Sequence, residues 1–192
     1  MKQTLALDMD NTITKLSPAF LQYVEFNMNI TAIEWETFEC NHYKYYELEK
    51  YFPCPSLLDK ISPDEMYNTI FNDYDFWIDL PIMDKAVENI EILNKKYNLY
   101  IVTYPYHNLR NCIQGKLNWI QKNLPFIRYH QIVFNDKRGE LPYDIIIDDN
   151  PDILKNANEQ NLTTIKFPHG YNKNRVTDYS LNNGWFGVYN IL

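Results

Sequence analysis

The stretch LALDMDNT, residues 5–12, places two aspartates two positions apart directly after a short apolar run. The apolar run predicts a buried β-strand, and Asp8 and Asp10 follow its carboxyl end. Residues i and i+2 of a strand lie on the same side, although the turn that follows can aim Asp10 separately. Asn11 suits that turn, because Asn tolerates a positive φ better than most residues. The stretch therefore predicts a functional site at the end of the first strand.

Strands and helices alternate through the second half of the chain. Apolar strand patterns occur in LYIVTYP, HQIVF, DIIID and LTTIKF, and amphipathic helix patterns lie between them. This alternation is typical of βαβ units with a parallel sheet, and apolar runs such as DIIID suit strands that are covered on both faces. We therefore predict an α/β fold, a Rossmann-like parallel sheet flanked by helices.

The segment from about Leu16 to Phe76 differs in composition from the rest of the chain, because it is rich in aromatic and acidic residues at helical spacing. Ser17 with Pro18 and Ser62 with Pro63 are typical of helix starts, where Ser caps and Pro occupies the first turn. The segment is therefore predicted to form a few short helices.

Composition narrows the possible classes of protein. The 192 residues are 45% hydrophobic and 22% charged, as in a globular domain with a modest insertion, and no apolar run reaches the roughly 18–20 residues of a membrane span. The N-terminal residues do not resemble a secretory signal, so we expect a cytoplasmic protein with no membrane partner. A net charge of −7 argues against binding a nucleic-acid polymer, but a small phosphorylated ligand is compatible with it. The oligomeric state is left open.

The three cysteines, Cys40, Cys54 and Cys112, are widely spaced. Their odd number and spacing fit neither a disulfide framework nor a paired-cysteine zinc site. We expect them to be unreactive thiols.

Polar groups follow four of the predicted strands. Each of them alone has an ordinary explanation as a strand end, a turn or a solvated loop. Because the carboxyl ends of parallel strands meet at one edge, we expect these groups to lie together. They are, in chain order, Asp8 with Asp10, Thr103, Lys137, and Asp148 with Asp149.

This order of acidic pair, hydroxyl, lysine and acidic pair resembles the four motifs of the haloacid dehalogenase-like phosphatases. A closer resemblance is to the 5'(3')-deoxyribonucleotidases of that superfamily, and it covers nearly the whole chain. The stretches that carry it are LDMDNT, DFWIDLPIMDKAVENI with LYIVTYP, KLNWIQKNLP, and HQIVFNDKRGELPYDIIIDDNPD. The resemblance implies a haloacid dehalogenase-like core and a Mg²⁺-dependent phosphomonoesterase acting on deoxyribonucleoside monophosphates.

The chemistry expected of the first aspartates follows from their roles in such an enzyme. Asp8 would attack the phosphate monoester and form an aspartyl-phosphate. Asp10 would protonate the leaving oxygen and then accept a proton from the attacking water.

The remaining groups are expected to neutralise the phosphate. A hard divalent cation would be held by Asp8, the Asp10 carbonyl and the pair Asp148 and Asp149, of which Asp149 is favoured as the direct ligand. The cation of Lys137 and the hydroxyl of Thr103 would bind phosphoryl oxygens.

The resemblance also implies that residues 15–78 form a small helical cap inserted after the first strand, with residues 1–14 and 79–192 as the core. Such a cap closes over the substrate, and Phe76 and Trp77 match an aromatic pair near the base. The chain departs from the family pattern at Asn11, at Leu16, where an aromatic is expected near the base, and at Tyr104, where a Ser is expected. Base preference, the position of the phosphate and the sugar stay open. The alternatives are a phosphatase of the same superfamily for another small metabolite, and a catalytically idle module that binds a phosphorylated ligand.

Overall fold

A computed structural model of the chain describes residues 2–28, 63–106 and 109–190. Within these residues, six strands form one parallel sheet in the order β3-β2-β1-β4-β5-β6. The strands are β1 (Thr4–Leu7), β2 (Asn98–Thr103), β3 (Ile132–Phe134), β4 (Ile145–Asp148), β5 (Thr163–Lys166) and β6 (Tyr179–Ser180). The predicted α/β fold with a parallel sheet is confirmed.

The strand order creates a crevice at the centre of the sheet. After β1 the chain builds outward through β2 and β3, and it then returns to the other side of β1 with β4. A parallel sheet binds ligands beyond the carboxyl ends of its strands, where the direction of strand order reverses. That point lies between β1 and β4. Asp8 directly follows β1, and Asp148 is the last residue of β4.

Helices cover both faces of the sheet. The described helices are α1 (Leu16–Met28), α2 (Pro63–Phe71), α3 (Tyr74–Ile78), α4 (Ala86–Lys96), α5 (Arg110–Asn123) and α6 (Pro151–Glu159). Three of them, α4, α5 and α6, lie where the sequence predicts amphipathic helices. Short 3₁₀ turns occupy Tyr129–Gln131, Arg138–Glu140, Gly170–Asn172 and Gly184–Asn190.

The apolar side chains of the strands divide between two cores. Alternate residues of a strand face opposite sides, so Leu5 and Leu7 pack in the larger core while Ala6 packs in the smaller. The larger core includes residues of α4 and α5, and the smaller one includes Ile153 and Ala157 of α6. Both faces of β1 are therefore buried, as its uninterrupted apolar pattern predicts.

The predicted helical segment is described only in part. α1 begins at Leu16 and α2 begins at Pro63, close to the predicted starts, whereas Ser62 and the helical pattern at 34–52 lie outside the described residues. Cys112 is buried in α5 as a free thiol, while Cys40 and Cys54 also lie outside them. Among the described helices, none has both the length and the apolar character needed to cross a bilayer.

The segment between β1 and α4 leaves and rejoins the core at one place. Thr14 and Ile82 form an antiparallel bridge, Lys15 N donates to Pro81 O at 2.7 Å, and Met83 N donates to Ile13 O at 2.8 Å. We call this pairing the neck. The division into a core and a cap of residues 15–78 stays a prediction.

Candidate active site

Three buried carboxylates converge at the central crevice. Asp8 follows β1, and its main-chain N–H donates to Ile147 O of β4 at 2.9 Å, which brings the ends of the two strands together. Asp8, Asp148 and Asp149 each offer a carboxylate oxygen, and these three oxygens lie within 4.8 Å of one another. The side chains expected at the two strand ends are thus brought to one point.

The turn after Asp8 is fixed by its own side chains. Asn11 has a φ of 57°, in the left-handed region, as its residue type predicts. Its Nδ2 donates to Ser17 Oγ at 2.8 Å, and its Oδ1 accepts from Ser17 N at 2.9 Å. These two bonds fasten the turn to the first residues of α1.

Arg138 supplies the positive charge beside the acidic cluster. Its Nε lies 2.8 Å from Asp148 Oδ2 as a hydrogen bond and 3.0 Å from Asp8 Oδ1 as an ion pair without hydrogen-bond alignment. The 3₁₀ turn that carries Arg138 packs directly on α6, since a Cβ on Gly139 would lie 2.5 Å from Ile153 O. This close approach directs the guanidinium into the cluster.

Lys137 does not join the acidic cluster, although the sequence predicts a role for it there. Its side chain is 69% exposed, and its Nζ lies 4.0 Å from Glu140 Oε2. Lys137 precedes the turn and projects outward, whereas Arg138, the next residue, projects inward. The structure thus places Arg138 in the cluster, and a phosphate-binding role for Lys137 stays a prediction.

Burial disfavours the ionised form of all three carboxylates. Burial is the main cause that raises the pKa of Asp8 well above its usual value; Arg138 opposes the shift, and Asp148 and Asp149 add to it. Burial likewise raises the pKa of Asp148 to about 6, against the opposing effect of Arg138, and it raises the pKa of Asp149. One guanidinium therefore compensates the three carboxylates only in part.

Asp10 pairs with Lys116, a residue of α5. Lys116 Nζ donates to Asp10 Oδ2 at 2.5 Å, to Thr103 Oγ1 at 2.9 Å and to Tyr104 O at 2.8 Å. An ammonium group has three hydrogens to donate, so these bonds use all of them. Lys116 thereby links the acid of the first motif to Thr103 at the end of β2.

Aromatic rings enclose the Lys116 ammonium. Its Nζ lies 4.7 Å from the centre of the Trp77 ring and 5.1 Å from that of Tyr106. Gly115 permits this arrangement, because a Cβ there would lie 2.5 Å from Trp77 Cβ. The side chain of Lys116 is fully buried, and cation–π attraction adds to its hydrogen bonds.

The predicted substrate-binding aromatics, Phe76 and Trp77, are both buried in α3. Trp77 Nε1 donates to Phe71 O at 2.7 Å, and the Phe76 ring packs edge-on against Tyr23 at 5.7 Å. Trp77 thus lies beside the site through its contact with Lys116. Contact of either ring with a substrate stays a prediction.

The donor set at the crevice fits a hard divalent cation. Asp8 is 1% exposed, and neither of its carboxylate oxygens accepts a hydrogen bond from the residues that the structure describes. Buried carboxylates without donors are costly unless a cation neutralises them, and Mg²⁺ prefers oxygen ligands. Asp8, Asp148 and Asp149 can therefore hold such an ion, and the Asp10 carbonyl stays a predicted fourth ligand.

Lys116 and Arg138 contact the predicted site residues, but they were not singled out from the sequence. Lys116 had a detectable signal, because it lies four residues after Cys112 and four before Ile120 on the apolar face of an amphipathic helix. Arg138 had none that distinguishes it from Lys137.

Solved structures with the same architecture identify the fold class. The Bacillus subtilis protein YfnB, assigned as a haloacid dehalogenase-like hydrolase and solved with bound magnesium, has a TM-score of 0.63 and 18% identity, covering 100% of this chain and 98% of its own. A hydrolase of the same superfamily from Geobacter sulfurreducens has a TM-score of 0.63 at 11% identity, covering 100% and 96%. The fold is that of the haloacid dehalogenase-like hydrolases.

A family model then specifies the group within that class. Residues 2–192 match the family described as "5' nucleotidase, deoxy (Pyrimidine), cytosolic type C protein". The chain belongs to this family and is accordingly a phosphoric monoester hydrolase of the 5'-nucleotidase type.

Curated relatives agree with this assignment. The 5'(3')-deoxyribonucleotidase of Clostridium acetobutylicum is 29% identical over 155 residues, which are 81% of this chain and 77% of the relative. The 5'(3')-deoxyribonucleotidase of Bacillus subtilis is 24% identical over 175 residues, 91% of each protein.

Proposed function

We propose that this protein is a Mg²⁺-dependent phosphomonoesterase that hydrolyses deoxyribonucleoside monophosphates through an aspartyl-phosphate on Asp8. The observation that carries the proposal is the buried Asp8 carboxylate, which lacks hydrogen-bond donors among the described residues and lies beside Asp148 and Asp149. The names of the Clostridium and Bacillus relatives support the substrate class.

Asp8 acts as the nucleophile. One carboxylate oxygen forms a bond to phosphorus as the bond between phosphorus and the nucleoside oxygen breaks. Arg138, 3.0 Å from Asp8 Oδ1, holds the carboxylate in place and offsets its charge. Water then attacks phosphorus, which releases phosphate and restores the Asp8 carboxylate.

Asp10 manages the proton. Its Oδ2 accepts from Lys116, whereas its buried Oδ1 has no hydrogen-bond partner among the described residues. Oδ1 is therefore the oxygen that gives a proton to the leaving nucleoside oxygen and takes one from the attacking water. Lys116 fixes the carboxyl so that Oδ1 faces the reaction.

Thr103 binds a phosphoryl oxygen, and Lys116 holds the Thr103 hydroxyl in place for it. Thr103 Oγ1 accepts a hydrogen bond from Lys116, so the hydrogen of its own hydroxyl can point to the substrate. Lys116 and Arg138 hold the buried positions that suit the charge-balancing role expected of Lys137, which is why we assign that role to them.

The residues that hold Mg²⁺ in this proposal are Asp8, Asp149 and the Asp10 carbonyl. Both oxygens of Asp148 already accept hydrogen bonds, Oδ2 from Arg138 and Oδ1 from Asn150 N at 2.8 Å, so Asp148 supports the site rather than ligating directly. When bound, the cation neutralises the phosphate and lets two anionic groups approach each other.

The substrate is a small molecule, in line with the net charge of −7, which disfavours a nucleic-acid polymer. The cap of residues 15–78 closes over it, and Phe76 and Trp77 are the pair proposed to contact the base, with Trp77 also in contact with Lys116. The cytosolic type named in the matching family supports a cytoplasmic location.

Phosphate release from a panel of deoxyribonucleotides, ribonucleotides and sugar phosphates tests the proposal. We expect Mg²⁺-dependent release that favours deoxyribonucleoside monophosphates, that chelator abolishes, and that Asp8→Asn eliminates without unfolding the protein. Release from other esters alone would replace the substrate class. Full activity of Asp8→Asn would overturn the mechanism, and no release from any ester would indicate an idle binding module.

A further inference from the structure

The segment after β5, residues 168–172, lies against two parts of the active site at once. We call it the β5 loop. The sequence PHGYN carries none of the predicted site residues, yet its side chains contact both Asp149 and the turn after Asp8. A loop with these contacts can set the geometry of the acidic cluster from outside it.

Tyr171 and Asn172 hold Asp149. The Tyr171 hydroxyl donates to Asp149 Oδ2, and Asn172 Nδ2 donates to Asp149 O at 2.7 Å. The same Asn172 amide donates to Phe167 O at 2.8 Å, and its side chain is buried. Both the carboxylate and the main chain of Asp149 are therefore oriented by this loop.

His169 holds the opposite side of the site. Its Nε2 lies 2.6 Å from Asn11 O, and because a carbonyl only accepts, Nε2 carries the hydrogen of this bond. The imidazole stacks on the Tyr171 ring, with centroids 5.0 Å apart and planes 10° apart. Trp185 Nε1 donates to the next carbonyl, Thr12 O, at 2.9 Å. Two consecutive carbonyls of the turn are thus held by residues that follow β5.

We propose that the β5 loop is the positioning element of the divalent-cation site, in which Tyr171 orients the Asp149 carboxylate and His169 fixes the turn that presents the Asp10 carbonyl. This inference rests on the proposed function, because it assumes that the acidic cluster binds Mg²⁺. Residues that orient metal ligands by hydrogen bonds change metal affinity by about 10–100-fold when they are removed. The loop is accordingly expected to control how tightly the cation binds.

Isothermal titration calorimetry tests the inference. Mg²⁺ is titrated into chelator-treated protein in the absence of substrate, and its affinity is measured. Tyr171→Phe removes one hydroxyl and keeps the ring that stacks on His169, so we expect Mg²⁺ to bind about 10-fold or more weakly with little change in melting temperature. Tyr179→Phe is the matched control, because Tyr179 is half-exposed and outside the site. The Mg²⁺ affinity of this variant should equal that of the wild type.

His169 provides a second, independent comparison. His169→Gln retains an N–H donor for Asn11 O, whereas His169→Leu removes it, so Gln should restore Mg²⁺ affinity that Leu loses. Wild-type affinity in both Tyr171→Phe and His169→Leu would overturn the inference and leave the proposed function intact. Failure of the wild-type protein to bind Mg²⁺ would overturn both.

Discussion

Lys116 and Asp10 are separated by 106 positions in the chain, and Lys116 Nζ lies 2.5 Å from Asp10 Oδ2 in the folded protein. The ammonium is fully buried, while the carboxyl side chain is 12% exposed. The ion pair therefore fixes one oxygen of Asp10, while the buried Oδ1 has no hydrogen-bond partner among the described residues. This arrangement connects α5 to the proton transfer proposed for Asp10.

Removal of the Lys116 charge should impair catalysis more than folding. Lys116→Met keeps an apolar stem against Trp77 but frees Asp10, so we expect kcat to fall by about 10²-fold or more, within the range that a positioned acid contributes. Lys122→Met, an exposed change in the same helix, is the control. Steady-state kinetics and circular dichroism of both variants check the prediction. A kcat of Lys116→Met equal to that of Lys122→Met would contradict it.

Substituting Arg138 and Lys137 one at a time should distinguish the contribution of the buried cation from that of the exposed one. Arg138→Gln leaves three buried carboxylates without their guanidinium, and breaking a buried pair costs about 3–5 kcal/mol of unfolding free energy. Lys137→Gln should cost within about 0.5 kcal/mol, as for ordinary surface changes. Urea unfolding in the absence of metal, with phosphatase assays alongside, measures both effects. A larger activity loss in Lys137→Gln would restore the role expected from the sequence.

Stability without metal should decline as the pH rises through the range in which Asp148 ionises. The pKa of Asp148 is raised by burial to about 6, from an unfolded value near 3.9, so the folded state retains a proton that the unfolded state releases. This contribution to stability is fully present below about pH 4 and is lost as the pH passes 6.

Added Mg²⁺ should reverse this trend, because it binds ionised carboxylates in competition with protons. The rise in melting temperature on adding Mg²⁺ should thus be larger at pH 7.5 than at pH 5. Scanning calorimetry with EDTA and with Mg²⁺ at both pH values measures it, and an equal rise at both would refute the prediction.

The close packing of Gly139 should make it intolerant of even one methyl group. Gly139→Ala would place a Cβ 2.5 Å from Ile153 O, so the turn must move away from α6 and carry Arg138 with it. We expect a loss of about 1–3 kcal/mol, as in overpacked cores, together with reduced activity. At Gly187 the nearest atom to an added Cβ lies 3.8 Å away, so Gly187→Ala should leave both properties near wild type.

The strand ends were predictable from the sequence because apolar runs report buried parallel strands and the fold gathers their carboxyl ends. Asp8, Thr103, Asp148 and Asp149 were predicted in this way, and the structure confirms that their strands are neighbours. The left-handed turn at Asn11 followed from residue type alone.

The cations were less predictable, since their placement depends on packing between distant elements. Lys116 reaches Asp10 only because α5 packs against α3 beside Trp77, and Arg138 rather than Lys137 points inward because its turn approaches α6 at Gly139. Neither approach is encoded in a local pattern. The β5 loop is a similar case, because His169 acts on a carbonyl 158 residues away.

The neck between residues 13–15 and 81–83 has a consequence for the length of the segment between them. The main chain enters and leaves the intervening segment through paired carbonyl and amide groups. These hydrogen bonds join the two ends of the segment, so they do not depend on its length. Doubling a loop whose ends are already joined costs only about 0.6 kcal/mol of closure entropy. A shorter or longer segment could therefore be accommodated between these residues while the sheet and its acidic centre keep their geometry.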